Sequence, residues 1–199
     1  FAAIVGPSGS GKTTLLNMIG GLDTPTEGEI LVDHTNLAGL KSSALIDFRM
    51  RNIGFVFQSY NLIPVLTAKE NVEFIMSLQK WNKKDRDNRT YELLKAVGLE
   101  DRVNSRPSKL SGGQQQRVAV ARAMVAEPKV LLADELTGAL DSTTSYEVMD
   151  LIQKINDQGN TILVVTHEND IAHMCKRIVH LKEGVIVEDK KIEQVRASQ

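Results

Sequence analysis

The sequence predicts an α/β domain in which helices flank a mostly parallel sheet and a helical subdomain is inserted between parts of that sheet. The first observation is a set of short apolar runs, each typical of a buried parallel strand, at residues 1–5, 53–57, 130–133 and 161–165. The second is that helical segments separate most of these runs, as in βαβ units. The third is that residues 67–127 contain no strand candidate.

Composition is that of an ordinary globular protein. Of the 199 residues, 42% are hydrophobic and 25% are charged, which suffices for one domain with a hydrophobic core. The net charge of −1 lacks the basic excess typical of nucleic-acid binding, so we expect no nucleic-acid partner. A single cysteine, Cys175, favours a reducing, cytosolic setting and is expected to behave as a small buried hydrophobe. No apolar run approaches the ~18 residues of a membrane span, so we expect membrane contact only through a partner.

The first part of the chain opens with the strand at residues 1–5, which ends at a glycine-rich segment. Residues 12–19 then have helical spacing, and a turn cluster follows at 23–28. Two further strands are predicted at residues 29–32 and 53–57.

The middle of the chain is predicted to form three helices. Residues 67–79 and 86–97 have helical spacing, with an exposed charged stretch between them. Ser111 is predicted to be the N-cap of the third helix, which runs to about Ala126 and is ended by Pro128.

The last part of the chain returns to strands alternating with helices. After the strand at 130–133, Ser142 is predicted to cap a helix that ends before Gly159. Three more strands are predicted at 161–165, 177–182 and 185–188.

These elements indicate a single domain over residues 1–199. Residues 1–66 and 128–199 are expected to form the sheet and its helices, and residues 67–127 the helical subdomain. The chain starts at Phe1, already inside an apolar run, so we expect this domain to lack its first strands.

The glycine-rich segment at residues 6–13 matches the G-x-x-x-x-G-K-[ST] pattern of phosphate-binding loops, the Walker A motif. Glycines let backbone N–H groups surround a phosphate, and the following helix adds the positive end of its dipole. We expect Lys12 to reach the β- and γ-phosphates and the Thr13 hydroxyl to bind Mg²⁺. The predicted nucleotide-binding residues are Gly6, Pro7, Ser8, Gly9, Ser10, Gly11, Lys12, Thr13 and Thr14.

Two acidic residues, Asp134 and Glu135, follow the buried strand at 130–133. In open α/β sheets, ligands bind at the carboxyl ends of the strands. We expect Asp134 to hold Mg²⁺ and Glu135 to act as general base on the water that attacks the γ-phosphate, as in a Walker B motif. Without the phosphate loop upstream, the pair would be read as a solvated helix start.

A second glycine-bearing helix start lies at residues 110–114, Leu-Ser-Gly-Gly-Gln. Ser111 occupies the predicted N-cap, and the two glycines permit a close approach of the backbone. A helix start of this kind binds anions, so the chain carries two separate phosphate-binding ends.

With these motifs the chain resembles the ABC ATPase family, whose core is a P-loop NTPase fold and whose signature is LSGGQ. The resemblance covers essentially the whole chain, in the family's order: phosphate loop, Gln58, signature, Asp134-Glu135, Ala139-Leu140-Asp141 and His167. It implies ATP and Mg²⁺ as ligands and ATP hydrolysis as the activity. It also implies a head-to-tail dimer, with each ATP held between the phosphate loop of one subunit and the signature of the other.

The resemblance implies particular roles for the matching residues. Glu135, His167 and Gln58 are the expected catalytic residues, with His167 on the γ-phosphate and orienting Glu135. The expected magnesium ligands are Thr13, Gln58 and Asp134. Asp141 is expected to contact the opposing subunit. The signature residues expected to bind the γ-phosphate across the dimer, or to hold that turn, are Leu110, Ser111, Gly112, Gly113 and Gln114.

Several stretches resemble the branch of the family that powers macrolide export and lipoprotein release, among them residues 20–28, 53–64, 67–72 and 111–117. This implies a transmembrane permease, as a separate subunit or a domain, and a second, identical ATPase subunit as partners. It also implies a peripheral location on the cytoplasmic face of the cell membrane. The alternative is an ABC ATPase that is not coupled to transport and acts in cell division, DNA repair or translation. Repair types carry long coiled coils, and no sustained heptads occur here. A regulatory, non-catalytic module is disfavoured, because the residues that bind and hydrolyse ATP are intact: Lys12, Asp134, Glu135 and His167.

Two features depart from the family's pattern. Leu136 stands where members usually have proline, and we expect it to loosen the turn that carries Glu135 and to slow turnover. The aromatic residue that stacks on adenine is not found in this chain. We therefore expect such a fragment to bind ATP weakly or to aggregate.

Overall fold

The computed structural model describes residues 1–198, within which the chain forms eight strands and seven helices. The strands are β1 (Ala2–Val5), β2 (Leu31–Val32), β3 (Thr35–Asn36), β4 (Ile53–Phe57), β5 (Val130–Asp134), β6 (Thr161–Val165), β7 (Arg177–Lys182) and β8 (Val185–Lys191). The helices are α1 (Lys12–Ile19), α2 (Ser42–Asn52), α3 (Ala68–Leu78), α4 (Lys83–Ala96), α5 (Gly112–Met124), α6 (Ser142–Asp157) and α7 (Asn169–His173).

Six strands form the main sheet in the order β4-β5-β6-β1-β7-β8. All neighbours pair in parallel except β7 and β8, which form an antiparallel hairpin at the edge. Strands β2 and β3 form a separate small hairpin. The predicted α/β fold with a mostly parallel, helix-flanked sheet is confirmed.

The register of the parallel strands aligns their carboxyl ends. Phe57 of β4 pairs with Asp134 of β5, Asp134 pairs with Val165 of β6, and Val165 pairs with Ile4 of β1. The chain segments that leave these four strands therefore emerge along one edge of the sheet. This is the edge at which open α/β sheets bind their ligands.

The core lies on both faces of the sheet. On one face, Leu16 of α1 packs with sheet residues that include Ile4 and Leu132. On the other face, a larger cluster joins Ala3 and Val164 of the sheet to α5, α6 and α7. Each strand of the interior alternates its side chains between these two clusters, as the pleat requires.

Helices α3, α4 and α5 share a further apolar cluster of their own. Helix α5 contributes to two clusters, because Val118 and Ala121 face the other helices whereas Ala119 and Val120 face the sheet. A Cβ atom at Gly54 of β4 would lie 2.6 Å from the Ala123 carbonyl oxygen, so this strand and α5 are in close contact. Helix α5 therefore connects the helical segment to the sheet.

Several element boundaries differ from those predicted. The N-cap of α6 is Asp141, not Ser142, because the Asp141 carboxylate accepts the Thr144 N–H at 3.0 Å. Helix α4 begins at Lys83, capped by Asn82, so the exposed charged stretch expected between two helices is the first turn of α4. The strand predicted at residues 29–32 is confined to β2.

Two helices were not predicted. Helix α2 has no fully buried residue, so its sequence shows no apolar periodicity. Helix α7 has five residues, too few for a periodic pattern. Over residues 1–198, no helix combines the length and the apolar character needed to cross a membrane.

Candidate functional site

The phosphate loop leaves β1 and ends at the first residue of α1. Gly9 and Gly11 have φ angles of 77° and 94°, which are costly for residues with a side chain, and Gly11 is the N-cap of α1. A Cβ at Gly6 would lie 2.1 Å from the Leu181 carbonyl oxygen. Glycine is therefore required at the point where the loop crosses the end of β7.

Lys12 is buried, and its side chain folds back into the phosphate loop. Its Nζ donates to the carbonyl oxygens of Gly6 at 2.8 Å and Pro7 at 2.9 Å. These bonds hold a positive charge inside the loop, where an entering phosphate competes for the same protons.

Asp134 lies directly beside the start of α1. The Thr13 hydroxyl donates to its Oδ1 across 3.4 Å. Burial raises the pKa of the Asp134 carboxyl above its ordinary value, and the neighbouring Glu135 charge adds to this, while the Thr13 hydrogen bond opposes it. A cation at this position would relieve the cost of burying the carboxylate.

Glu135 is held by hydrogen bonds at the turn after β5. Its backbone N–H donates to Val165 at 2.9 Å, and its carbonyl accepts the Gly138 N–H at 3.0 Å. Its φ of 48° is left-handed, a conformation that is uncommon overall but clusters at functional turns.

Leu136, expected to loosen this turn, is 1% exposed and packs in the large core cluster. The structure therefore shows an anchored turn, and the effect of Leu136 on turnover stays a prediction.

His167 follows β6 and faces Glu135. Its Nδ1 lies 3.2 Å from Glu135 Oε1. The imidazole is mostly exposed and the carboxylate is partly buried, with 60% and 30% of the side chains accessible. The two residues therefore form a pair whose outer member can reach a ligand.

An open cavity of about 830 Å³ lies between the phosphate loop and this pair. Its lining includes most of the predicted nucleotide-binding residues together with Glu135 and His167: Gly6, Pro7, Ser8, Gly9, Gly11, Lys12, Thr13, Thr14, Glu135 and His167. Ser10 lies beneath the loop, 3% exposed. The volume suits a ligand of nucleotide size.

The sequence analysis missed three residues of the cavity lining, the apolar Val5 and the polar Asn169 and His180. His180 pairs with Val5 in adjacent strands, and its Nε2 lies 3.3 Å from Glu188 Oε2. Because these two strands are far apart in the chain, nothing in the sequence around His180 indicates that it lies at the cavity. Asn169 does carry one, because it follows His167 by two residues at a helix start.

Gln58 follows β4 and lies next to the turn that carries Glu135. A Cβ at Gly138 would lie 2.7 Å from Gln58 Nε2. Gln58 does not line the large cavity, so the structure places it at the margin of the site rather than inside it.

The signature residues form a capped helix start that lies apart from the cavity. Ser111 Oγ accepts the Gln114 N–H at 3.2 Å, and Gln114 Oε1 accepts the Ser111 N–H at 2.9 Å. This capping box satisfies two helix-end donors, and the other N–H groups of the first turn remain available for an anion. Leu110 is buried and anchors the turn. None of residues 110–114 lines the cavity at the phosphate loop.

The two signature glycines lie against neighbouring segments. A Cβ at Gly112 would lie 2.8 Å from the Tyr60 phenol oxygen, and one at Gly113 would lie 2.2 Å from Thr144 Cγ2. Thr144 also donates its hydroxyl to Asp141 at 2.7 Å. These hydrogen bonds lower the pKa of Asp141, which is thus held ionised at the start of α6.

Cys175 is fully buried, as predicted. Across the part of the chain that the structure describes, no group of three or more His, Cys, Asp or Glu side chains is arranged to hold a metal ion.

The fold and the cavity define a protein with a phosphate loop and a nucleotide-sized site at the carboxyl edge of a parallel sheet. A family model described as ABC transporter matches residues 1–138. The chain belongs to the ABC transporter family, and the family predicted from its motifs is confirmed.

Relatives match over nearly the whole chain. The ABC transporter ATP-binding protein YvrO of Bacillus subtilis is 49% identical over 191 residues, which are 96% of this chain and 83% of that protein. The macrolide export ATP-binding/permease protein MacB of Brucella melitensis is 47% identical over 95% of this chain, which corresponds to 29% of its own length. A dimeric, post-hydrolysis structure of the ATP-binding cassette MJ0796 bound to ADP and Pi aligns with a TM-score of 0.87. It is 46% identical, over 98% of this chain and 86% of that one.

Proposed function

We propose that this chain is an ATPase that binds ATP in the cavity beside the phosphate loop and uses its hydrolysis to drive a membrane permease. The predicted function of an ABC-type ATPase is confirmed by the family to which the chain belongs. The observation that carries it is the convergence of the phosphate loop, Glu135 and His167 on one cavity of about 830 Å³. Loop residues Gly6–Thr14 hold the phosphates through backbone N–H groups, and Lys12 exchanges its loop carbonyls for phosphate oxygens.

The residues beside the loop fit a magnesium ion. Thr13 and Asp134 offer a hydroxyl and a carboxylate 3.4 Å apart, and oxygen atoms are the ligands that Mg²⁺ prefers. Sites of this kind use one or two carboxylates and complete the coordination with phosphate oxygens and water. We assign Thr13, Asp134 and the nearby Gln58 amide as its ligands. When bound, the ion neutralises charge on the phosphates.

Hydrolysis is assigned to the pair formed by Glu135 and His167. The Glu135 carboxylate accepts a proton from water, the water oxygen bonds to the γ-phosphorus, and the bond between that phosphorus and the β–γ bridging oxygen breaks to release ADP. His167, the exposed member of the pair, holds Glu135 at 3.2 Å and contacts the γ-phosphate. Gln58 positions the same water from the margin of the site.

The signature is assigned to the nucleotide of a second copy of the chain. The helix start at residues 110–114 is an anion-binding end that lies outside the chain's own phosphate cavity. Two copies arranged head to tail would bring each signature onto the other's ATP, with Asp141 at the contact. This arrangement gives both anion-binding ends of the chain a ligand.

The permease is assigned to an apolar groove beside Gln58. The groove has a volume of about 360 Å³ and lies between α2, β4, α3 and α5, with a lining that includes Ile46, Phe55, Phe57, Ile75 and Leu78. Phe57 directly precedes Gln58, so the groove is continuous with the margin of the site. An apolar cytoplasmic segment of the permease would fill it, and the chain would then lie on the cytoplasmic face of the membrane.

We also propose that residues 67–127 act as a helical subdomain that carries the signature.

The experiment that tests this function compares ATP binding and hydrolysis by the parent chain, Lys12→Ala and a control, Lys41→Ala. Lys41 is exposed and forms no side-chain bond at the start of α2. We expect Lys12→Ala to weaken ATP binding by about 100-fold and to abolish hydrolysis, since it removes the charge within the loop. Lys41→Ala should match the parent. Equal ATP affinity in parent and Lys12→Ala would refute the proposed site.

A further inference from the structure

Tyr60 has a backbone conformation that its side chain does not favour. Its φ is 59° and that of the next residue, Asn61, is 48°. Left-handed conformations are uncommon for residues other than glycine and asparagine, and a bulky aromatic residue adopts one only where its surroundings fix it. Tyr60 lies two residues after Gln58, so the strain falls on the segment that positions this glutamine.

Arg122 in the last turn of α5 fixes that conformation. Its guanidinium donates to the Asn61 carbonyl at 2.5 Å and to the Tyr60 carbonyl at 2.9 Å. Among residues 1–198 it forms no ion pair, and burial lowers the pKa of the guanidinium below its ordinary value. A partly buried arginine whose described partners are two backbone carbonyls serves to hold that backbone.

The side chain of Tyr60 extends to the other end of the same helix. A Cβ at Gly112, the first residue of α5, would lie 2.8 Å from the Tyr60 phenol oxygen. Gly112 and Arg122 are ten residues apart, or about 15 Å along the helix. Tyr60 is thus bonded through its backbone to the last turn of α5 and packed through its ring against the signature turn.

Gln116 adds a weaker contact between the same two elements. It is fully buried in α5, and its Nε2 donates to the Phe57 carbonyl at 3.5 Å. The carbonyls of Phe57, Tyr60 and Asn61 are therefore all directed at side chains of one helix. Arg122 also lines the apolar groove beside β4.

We propose that Tyr60 and Arg122 are positioning residues that lock the Gln58 segment to the signature turn, so that the two move as one unit. A displacement at the groove then reaches the signature, and through it the nucleotide of a second copy. The inference rests on the proposed function, since it assigns a regulation to that site.

The test uses chains that also carry Glu135→Gln, so that bound ATP is not consumed. Two properties are measured: the affinity of each chain for a fluorescent ATP analogue at low protein concentration, and the ATP concentration that gives half-maximal dimer by light scattering. The variants are Arg122→Gln, which removes the charge, and Tyr60→Asn, which tolerates the left-handed backbone but lacks the ring. The control is Arg89→Gln, because Arg89 also bonds a backbone carbonyl, that of Met124, but has no contact with the Gln58 segment.

We expect both variants to need about tenfold more ATP for dimerisation, with nucleotide affinity of the separate chains unchanged. Arg122→Gln loses hydrogen bonds from a charged group to the Tyr60 and Asn61 carbonyls, whereas Tyr60→Asn loses the contact of the ring with the signature turn. Arg122→Lys, which keeps the charge, should recover part of the loss. Dimerisation of both variants at the ATP concentration of the Glu135→Gln parent would overturn the inference. If Arg122→Gln does not fold, Tyr60→Asn decides alone. Failure of the parent itself to dimerise would instead refute the proposed function.

Discussion

His167 Nδ1 lies 3.2 Å from Glu135 Oε1, although the two residues are separated by helix α6 in the sequence. They meet because β5 and β6 are parallel neighbours and Asp134 pairs with Val165. The contact orients the carboxylate at the edge of the cavity, where it is only partly exposed. A general base needs this kind of fixed geometry before its basicity matters.

Replacing His167 should therefore impair turnover more than binding. We expect His167→Ala to lower kcat by about 100-fold or more, with ATP affinity within about threefold of the parent, because the phosphate loop is untouched. The control is His173→Ala, since His173 is exposed in α7 and does not line the cavity. Steady-state kinetics and nucleotide titration measure the two properties. An unchanged kcat in His167→Ala would contradict the assignment.

Asp134 is predicted to destabilise the unliganded fold when ionised. Burial, with the Glu135 charge, raises its pKa in the folded chain above the ordinary value of 3.8, so the folded state holds this proton more tightly than the unfolded state. The cost of the carboxylate is present above the folded pKa and fades as the pH falls through it. We expect Asp134→Asn to raise Tm at pH 8 by about 2 °C in the presence of a chelator, and the difference to shrink towards pH 4.

The control for this measurement has the opposite sign. Asp157 is bonded to Arg196, which lowers the pKa of its carboxyl, so Asp157→Asn should lower Tm at pH 8. Its effect should also fade in acid, as the parent carboxylate becomes protonated. A lower Tm for Asp134→Asn at pH 8 would show that the ionised Asp134 carboxylate does not destabilise the unliganded chain.

Cys175 should be inert to thiol reagents in the folded chain. It is fully buried, and burial raises the pKa of its thiol to about 12. At pH 8 its thiolate fraction is then about 1,000-fold below that of a free cysteine, and labelling by an aromatic disulfide should be slower by at least that factor. The control chain carries Ser43→Cys together with Cys175→Ala, and its thiol at this exposed position should react at once. Rapid labelling of native Cys175 would contradict the packing described here.

Replacing Leu136 by proline should lower the stability of the chain but raise its turnover. Leu136→Pro removes a side chain that is 1% exposed in the core, so we expect a loss of about 2 kcal/mol in the free energy of unfolding. A proline fixes its own φ and so should stiffen the turn that Leu136 is expected to loosen. We expect kcat to rise in Leu136→Pro, and Leu136→Ala controls for the lost packing. Equal kcat values in parent and Leu136→Pro would end this interpretation.

The sequence predicted the parts of the site that depend on local pattern. The phosphate loop, Asp134 and Glu135 are contiguous motifs between recognisable strands, and the structure places them at one edge of the sheet. His180 was not found, because its place at the cavity depends on the register of β7 against β1. Asp141 and Ser142 are adjacent residues of equal capping propensity, so the sequence could not choose between them.

The contacts of Tyr60 were also beyond prediction. Arg122 donates to the Tyr60 carbonyl across 62 residues of sequence, and the sequence on either side of each residue gives no sign of this contact. The left-handed backbone of Tyr60 has no compositional signal, since such residues are usually glycine or asparagine. Helix α2 was missed for the related reason that none of its residues is fully buried.

The central claim is that the phosphate loop and the signature grip one triphosphate from two copies of the chain. It is tested most directly by light scattering of Glu135→Gln with saturating ATP, alone and combined with Ser111→Asp. Aspartate preserves the N-cap of α5 but places a negative charge where the second copy's γ-phosphate would bind. We predict a dimer for Glu135→Gln and for a control that adds Ser43→Asp, and an ATP-bound monomer when Ser111→Asp is added. Equal dimerisation with and without Ser111→Asp would contradict the account.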